Sequence, residues 1–226
     1  MKSVLFNGSP RGRKSNTAIL LEQFQQGYGA EPPQQLFIYR DGEDTLKEAF
    51  REAETIILAF PLYTDLMPGK VKQFMESIDP ADWRGKRFGV IVQSGFPEAL
   101  QSSFIVHYFQ RLITKREGIY IGGLIRGGVE GIQMMPEKMT RKLRNSFFKL
   151  GANFRDAGRV DGPVAESLKR PWKLGPMQRL FFQFSRLIGL SNFYWNHHLK
   201  ANNVFQERFA APYGRAASDT QKQQVT

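Results

Sequence analysis

The chain has 226 residues, a formal net charge of +11 from 32 basic and 21 acidic side chains, and no cysteine. The missing thiols exclude a disulfide framework, a thiolate nucleophile and any zinc or iron–sulfur site built on protein cysteines. The length allows one large domain, or one of common size with an extension, and the charge favours anionic partners (phosphates, nucleic acid or an acidic membrane surface) without choosing among them.

Strand-like and helix-like patterns alternate from the start. Residues 3–7 (SVLFN) form a short apolar run stopped by Gly8-Ser9-Pro10. Residues 15–28 read as a helix with Leu20, Leu21 and Phe24 on its apolar face and Ser15 or Asn16 as cap. A second strand is expected at 35–39, and a short helix at 44–52 with Asp44 as its cap. The third strand, 55–60 (TIILAF), is continuously apolar, as a strand covered on both faces must be. A helix at 68–78 has Pro68 near its first turn. Then come a strand at 87–93, a long helix at 98–114, a strand at 118–125, and a helix at 136–151 with Met139, Leu143, Phe147 and Leu150 on one stripe. Five strands interleaved with five helices predict an α/β fold, an open and mostly parallel sheet with helices on both faces.

The composition shifts after this. Residues 156–176 carry repeated Gly and Pro and read as a linker, 177–213 as a basic aromatic extension, and 214–226 as a polar, disordered tail. From Glu166 onward there are nine Lys or Arg and three Asp or Glu, so this short part holds +6 of the +11. The N-terminus MKSVLFNGSP is too quickly punctuated for a signal peptide. No apolar run reaches 18 residues; the best candidate, 180–190, contains Gln183 and Arg186. A cytoplasmic location is expected, with the inner membrane face as a peripheral alternative.

The strongest local signal is the first turn, Gly8-Ser9-Pro10-Arg11-Gly12-Arg13-Lys14-Ser15-Asn16-Thr17. It follows a strand and opens a helix, so a phosphate placed there meets free backbone N–H groups and the positive end of the helix dipole. Ser9, Ser15, Asn16 and Thr17 add short polar groups, and Arg11 adds charge. A capped turn beneath a solvated basic loop accounts equally well for the residues taken alone. Ligands of open α/β sheets bind beyond the carboxyl ends of the strands, where this loop lies. A Walker A loop would need Gly at position 13, which is Arg, and the third strand runs into Phe60-Pro61 with no metal-binding Asp at its end. The dinucleotide fingerprint G-x-G-x-x-G is also missing from this turn.

This turn resembles that of the flavodoxin-like NAD(P)H-dependent oxidoreductases, including the NADPH-dependent FMN reductases. Their first turn commonly reads G-S-P-R, a few polar residues, then S-N-T, as Gly8-Ser9-Pro10-Arg11 and Ser15-Asn16-Thr17 do here. The resemblance covers about residues 1–155. It implies a flavodoxin-like three-layer sandwich over a five-stranded parallel sheet, with FMN as cofactor, its phosphate in the first loop, and NAD(P)H as co-substrate. Two further loops match. After the third strand, Pro61-Leu62-Tyr63 followed by Pro68 resembles the family's P-L-Y/W segment flanking the isoalloxazine. Pro61 ends the ladder, and an aromatic ring such as Tyr63 can stack on a flavin. After the fourth strand, Ser94-Gly95-Phe96 resembles the family's Gly- and aromatic-containing flavin loop. Read singly, each is an ordinary strand-ending turn; their conjunction at three successive strand ends carries the reading. Gly122-Gly123 and Gly127-Gly128 are read as helix–sheet packing positions.

A flavin enzyme needs no triad, metal or acid–base pair of its own, and no catalytic or metal-binding side chain is assigned. His107 reads as a surface or core-edge residue, and His197-His198, adjacent on a helix, point apart. The lack of cysteine separates this chain from relatives with a cysteine-ligated cluster beside FMN. The expected reaction moves a hydride from NAD(P)H to flavin and then to a quinone, flavin or other small acceptor. A non-catalytic flavodoxin-type carrier and a flavin-free interaction module are the alternatives; the basic charge and the extension argue against the carrier.

In the extension, Leu180, Phe181, Phe184, Leu187 and Ile188 fall on one helical stripe, with Arg179 and Arg186 off it and Phe193, Tyr194 and Trp195 following. The first expectation is docking on the core or on a second subunit of a homodimer, walling the flavin mouth, because apolar stripes of this kind are usually covered. Contact with an anionic membrane comes second, and a protein partner is the third reading. No nucleic acid is expected, since no binding module is recognised.

Overall fold

The structure is a computed structural model that describes residues 2–187 and 192–210. Five parallel strands, β1 (Ser3–Asn7), β2 (Gln34–Phe37), β3 (Thr55–Pro61), β4 (Arg87–Gln93) and β5 (Ile119–Arg126), form one sheet in the order β2-β1-β3-β4-β5. This is the flavodoxin-type doubly wound order, whose direction reverses between β1 and β3. The helices are α1 (Asn16–Tyr28), α2 (Glu43–Glu52), α3 (Gly69–Ser77), α4 (Ser103–Lys115), α5 (Glu137–Ala157), α6 (Pro163–Leu168), α7 (Pro176–Leu187) and α8 (Phe193–Ala201).

Both faces of the sheet are covered, which is why every residue of β3 is buried. On one face Phe6, Phe50, Phe74, Trp83 and Phe88 pack with side chains of α2, α3 and α4. Trp83 stacks on Phe88 with ring centroids 4.9 Å apart. On the other face Leu5, Ile57 and Ile91 meet Leu20 and Phe24 of α1, Phe147 and Leu150 of α5, and Ala165 and Leu168 of α6. The α1–α5 contact is close because it is built on two glycines. A Cβ on Gly27 would lie 1.8 Å from the Phe148 carbonyl oxygen, and one on Gly151 would lie 1.9 Å from that of Phe24. The three-layer α/β architecture expected from the sequence is therefore the one found.

Several element limits differ from expectation. β2 ends at Phe37, because the Asp41 carboxylate accepts the Phe37 amide and the chain turns at residues 38–40. Gly42 precedes α2 as its cap, and Asp44 lies in the first turn, where its charge suits the dipole. α4 begins only at Ser103, after a loop and a short 3-10 turn, so Glu98 is not helical. α5 continues two turns past Gly151 to a left-handed cap at Gly158, φ 64°. Met139 is exposed and Thr140 buried in its place, so the core stripe begins one residue later than the apolar pattern suggests.

The segment read as a linker is part of the core. Val160, Ala165 and Leu168 are buried, and the chain beyond α6 pairs with the loop before α4 through Ala99 N to Pro171 O and Leu100 N to Trp172 O. Residues Met1–Leu174 form one unit and Gly175–Thr226 a second. In the second unit Leu180, Phe181 and Phe184 are exposed. The side chains of Leu187, Ile188, Phe193 and Tyr194, and the tail 214–226, lie outside the described residues. Among the described residues no helix is long and apolar enough to cross a membrane.

Candidate functional site

The carboxyl edge of the sheet ends on Asn7, Pro61, Gln93 and Arg126. From Asn7 the chain squeezes between β3 and α3: a Cβ on Gly8 would lie 2.4 Å from Val71 Cγ2 and 3.0 Å from Phe60 Cβ. Asn7 Oδ1 then accepts from the Ser9 amide at 3.0 Å. The turn closes as Gly12 N donates to Ser9 O, and Ser15 N and Oγ both donate to Gly12 O, at 3.1 and 2.6 Å. Gly12 sits at φ 56°, a conformation that glycine enters without strain. Ser15 Oγ also accepts from Ala18 N at 3.0 Å, capping α1. Its single proton is thus committed to Gly12. Asn16 and Thr17 lie in the first turn of α1, whose amides have no intrahelical acceptor.

Two side-chain bonds tie this turn to its neighbours. Gln93 Nε2 donates to Thr17 Oγ1 at 3.3 Å, which leaves the Thr17 proton available, and Asn16 Nδ2 donates to Val129 O at 2.9 Å. The loop after β4 is held in the same way. Ser94 N donates to Arg126 O, Val129 N to Ser94 O, and Gly128 N to Phe96 O, at 2.9, 3.1 and 2.7 Å. Gly127 packs against Phe96 O, where a Cβ would come within 2.5 Å, so Gly127-Gly128 serve a loop–loop contact rather than helix–sheet packing. Gly122 likewise abuts Asp161, whereas Gly123 meets Val106 of α4 as the packing reading expects.

Pro61 and Leu62 are buried, and Leu62 N donates to Gln93 O. The chain then reverses at Tyr63–Leu66, with Thr64 and Asp65 both at positive φ, 46° and 63°. This strained turn lifts Tyr63 out, 51% exposed; Phe96 stands 42% exposed on the neighbouring loop. Burial of its ring raises the Tyr63 hydroxyl pKa, while Arg11 pulls it down and Glu130 and Tyr39 push it up. Arg11 and Glu130 therefore both lie within electrostatic reach of Tyr63.

The edge also holds buried polar atoms that the protein does not satisfy: Asn7 Nδ2, Asn16 Oδ1 and Ser94 Oγ. Such atoms are costly unless a ligand or solvent pairs them. They comprise a donor, an acceptor and a hydroxyl, which suits a polyol and a ring with a polar edge. The free amides at the start of α1 and the Arg11 charge suit a phosphate, and the Tyr63 and Phe96 rings suit a flat heteroaromatic. FMN has all three parts, so the donor set fits it.

The structure thus gathers the expected residues of all three loops at one sheet edge. Sequence reasoning missed Asn7 and Gln93, and it read Glu130-Gly131 as able to lie near the ligand mouth without assigning Glu130 to the site. The first two carried a signal: each is a polar residue ending an otherwise apolar strand at the ligand edge. Glu130 lies against Gly95, where a Cβ would stand 3.3 Å from Glu130 Cβ, a proximity that only the β4 and β5 loops together create. Among the described residues no group of three or more His, Asp or Glu side chains is placed to hold a metal ion.

The strand order and the arrangement of helices on both faces define a flavodoxin-like protein. The chain belongs to the NADPH-dependent FMN reductase family, whose model matches residues 1–121. It is accordingly an NAD(P)H-dependent flavin oxidoreductase, with FMN as cofactor and NAD(P)H as co-substrate. Solved structures of similar fold include an FMN-dependent NADH-azoreductase from Bacillus anthracis in complex with FMN, at 15% identity and TM-score 0.52, covering 69% of this chain and 100% of that one. An NADPH-quinone reductase from P. pentosaceus is 18% identical, with TM-score 0.52 and coverages of 68% and 99%. The Trp repressor binding protein from Bacillus subtilis is also 18% identical, with TM-score 0.53 and coverages of 67% and 96%. No curated protein sequence matches the chain.

Proposed function

We propose that the enzyme passes reducing equivalents from NAD(P)H to a small, flat electron acceptor such as a quinone, a free flavin or an azo compound. The observation that carries the proposal is the set of unsatisfied polar atoms on Asn7, Asn16 and Ser94, enclosed by the three loops of one sheet edge. In this reading Arg11, the Ser9 hydroxyl, the Thr17 proton and the first amides of α1 hold the phosphate. Ser15 shapes the turn from within rather than touching the ligand. Asn7, Asn16 and Ser94 meet the ribityl and ring polar groups, and Pro61, Leu62, Tyr63, Gly95 and Phe96 wall the ring.

Bound FMN supplies the hydride and electron chemistry. The chain's own part is to bind, to orient and to keep one ring face open. Tyr63 and Phe96 stand exposed above the loops, so they border the space in which donor and acceptor take turns. Two proteins of similar fold are named as an NADH-azoreductase and an NADPH-quinone reductase, which supports the acceptor class proposed here.

The test is a spectrum of the purified protein, followed by anaerobic mixing with NADPH and with NADH. Flavin bands that bleach with a nicotinamide and recover on adding a quinone are expected. Bound flavin that stays oxidised with both nicotinamides would sink the proposal. Asn16→Ala and Ser94→Ala are expected to lower FMN affinity without unfolding the chain.

A further inference from the structure

The second unit holds an apolar face and a charge bias that the flavin chemistry does not use. The unit Gly175–Thr226 contains six Lys or Arg and two Asp or Glu. Along α7, Met177, Leu180, Phe181 and Phe184 share one stripe at i, i+3, i+4 and i+7, and are 58–79% exposed. Arg179 projects from the opposite side of the helix by the same spacing. Trp195 of α8 is exposed, and the Arg208 guanidinium lies over the Phe205 and Phe209 rings at 4.4 and 4.8 Å from their centroids.

We propose that the unit Gly175–Thr226 docks on an anionic lipid bilayer, with α7 lying in the plane of the interface. Two needs must be met together: hydrocarbon for the stripe and negative charge for the cations. A bilayer with acidic headgroups meets both. A second copy of the chain meets only the first. A self-contact would bring together two units that each carry a net +4, and like charges across an interface oppose association. α7 has 12 residues, and among the described residues no helix can cross a membrane, so it lies on the surface. The proposal does not rest on the choice of electron acceptor.

The test uses the full-length protein and sucrose-loaded vesicles of phosphatidylcholine, with and without phosphatidylglycerol. Pelleting with the anionic vesicles alone, reversed by high salt, is expected. The triple variant Leu180→Ser, Phe181→Ser, Phe184→Ser and the single variant Arg179→Glu are each expected to weaken it about tenfold or more. These side chains are exposed, so flavin absorbance and NAD(P)H oxidation in solution should match the parent and report that the fold is intact. No pelleting of the parent, equal pelleting on both lipids, or undiminished pelleting of the triple variant each overturns the proposal. Light scattering supplies the last arm: a parent dimer that the triple variant converts to monomer assigns the face to a second copy and overturns it too.

Discussion

The two units use aromatic residues in opposite ways. In Met1–Leu174 the rings of Phe6, Phe24, Phe50, Phe60, Phe88, Phe109 and Phe147 are fully buried between helices and sheet. In Gly175–Thr226 the rings of Phe181, Phe184, Trp195 and Phe209 face outward. Similar residue types thus have different consequences: among the described residues, the rings of the first unit are covered by helices packed on a sheet, and those named in the second unit are not. An apolar stripe in a sequence says that a surface wants covering; whether the chain itself covers it depends on what else the chain builds.

That contrast can be broken or sharpened by substitution. The largest effect is expected at Phe50, which touches Phe6, Phe74, Trp83 and Phe88. Phe50→Ala should cost about 3–5 kcal/mol in urea unfolding. Gly27→Ala and Gly151→Ala come next, since each drives a methyl into a backbone carbonyl of the partner helix. Losses of about 1–3 kcal/mol are expected for each, and a double variant should cost less than the sum, because one separation of α1 from α5 relieves both.

Ser15→Ala should cost about 1 kcal/mol through loss of the cap, with a matching drop in FMN affinity measured by fluorescence titration. A smaller effect is expected from Tyr120, whose burial raises its pKa to about 12. The unfolded phenol ionises near pH 10. The folded state therefore keeps a proton that the unfolded state gives up, and this contribution to stability is full below about pH 10 and lost as pH rises toward 12. Tyr120→Phe should flatten the alkaline limb of a stability–pH curve. At the other extreme, Phe181→Ser in the second unit should change stability by less than about 0.5 kcal/mol. A loss as large as that at Phe50 would dissolve the contrast.

Most of the architecture was legible because hydrophobic continuity marks buried parallel strands. β1 and β4 were delimited to the residue, and β3 to within one. The misread limits share a cause. Helix ends depend on caps, and those at Gly42, Ser102 and Gly158 are set by backbone geometry rather than by side-chain signals. The stretch after α5 looked like a linker because Gly and Pro dominate it, yet three spaced apolar residues suffice to seat α6 on the sheet. At the site, the loop chemistry was legible position by position. The Thr64-Asp65 turn was not, since Thr, being β-branched, argues against positive φ and Asp favours it only weakly. Glu130 was left unassigned because its place depends on two loops meeting.

The position of β1 has a consequence for the order of events during synthesis. It lies in mid-sheet, between β2 and β3, so β1 leaves the ribosome before its neighbours and must wait for β3 before both its edges are paired. The turn that follows β1 needs Gln93 and Val129 to fix Thr17 and Asn16. By the time the basic aromatic unit Gly175–Thr226 emerges, every strand of the sheet has already been translated. Its exposed rings therefore meet a sheet whose own side chains are all available to fill it, and they compete least for the core.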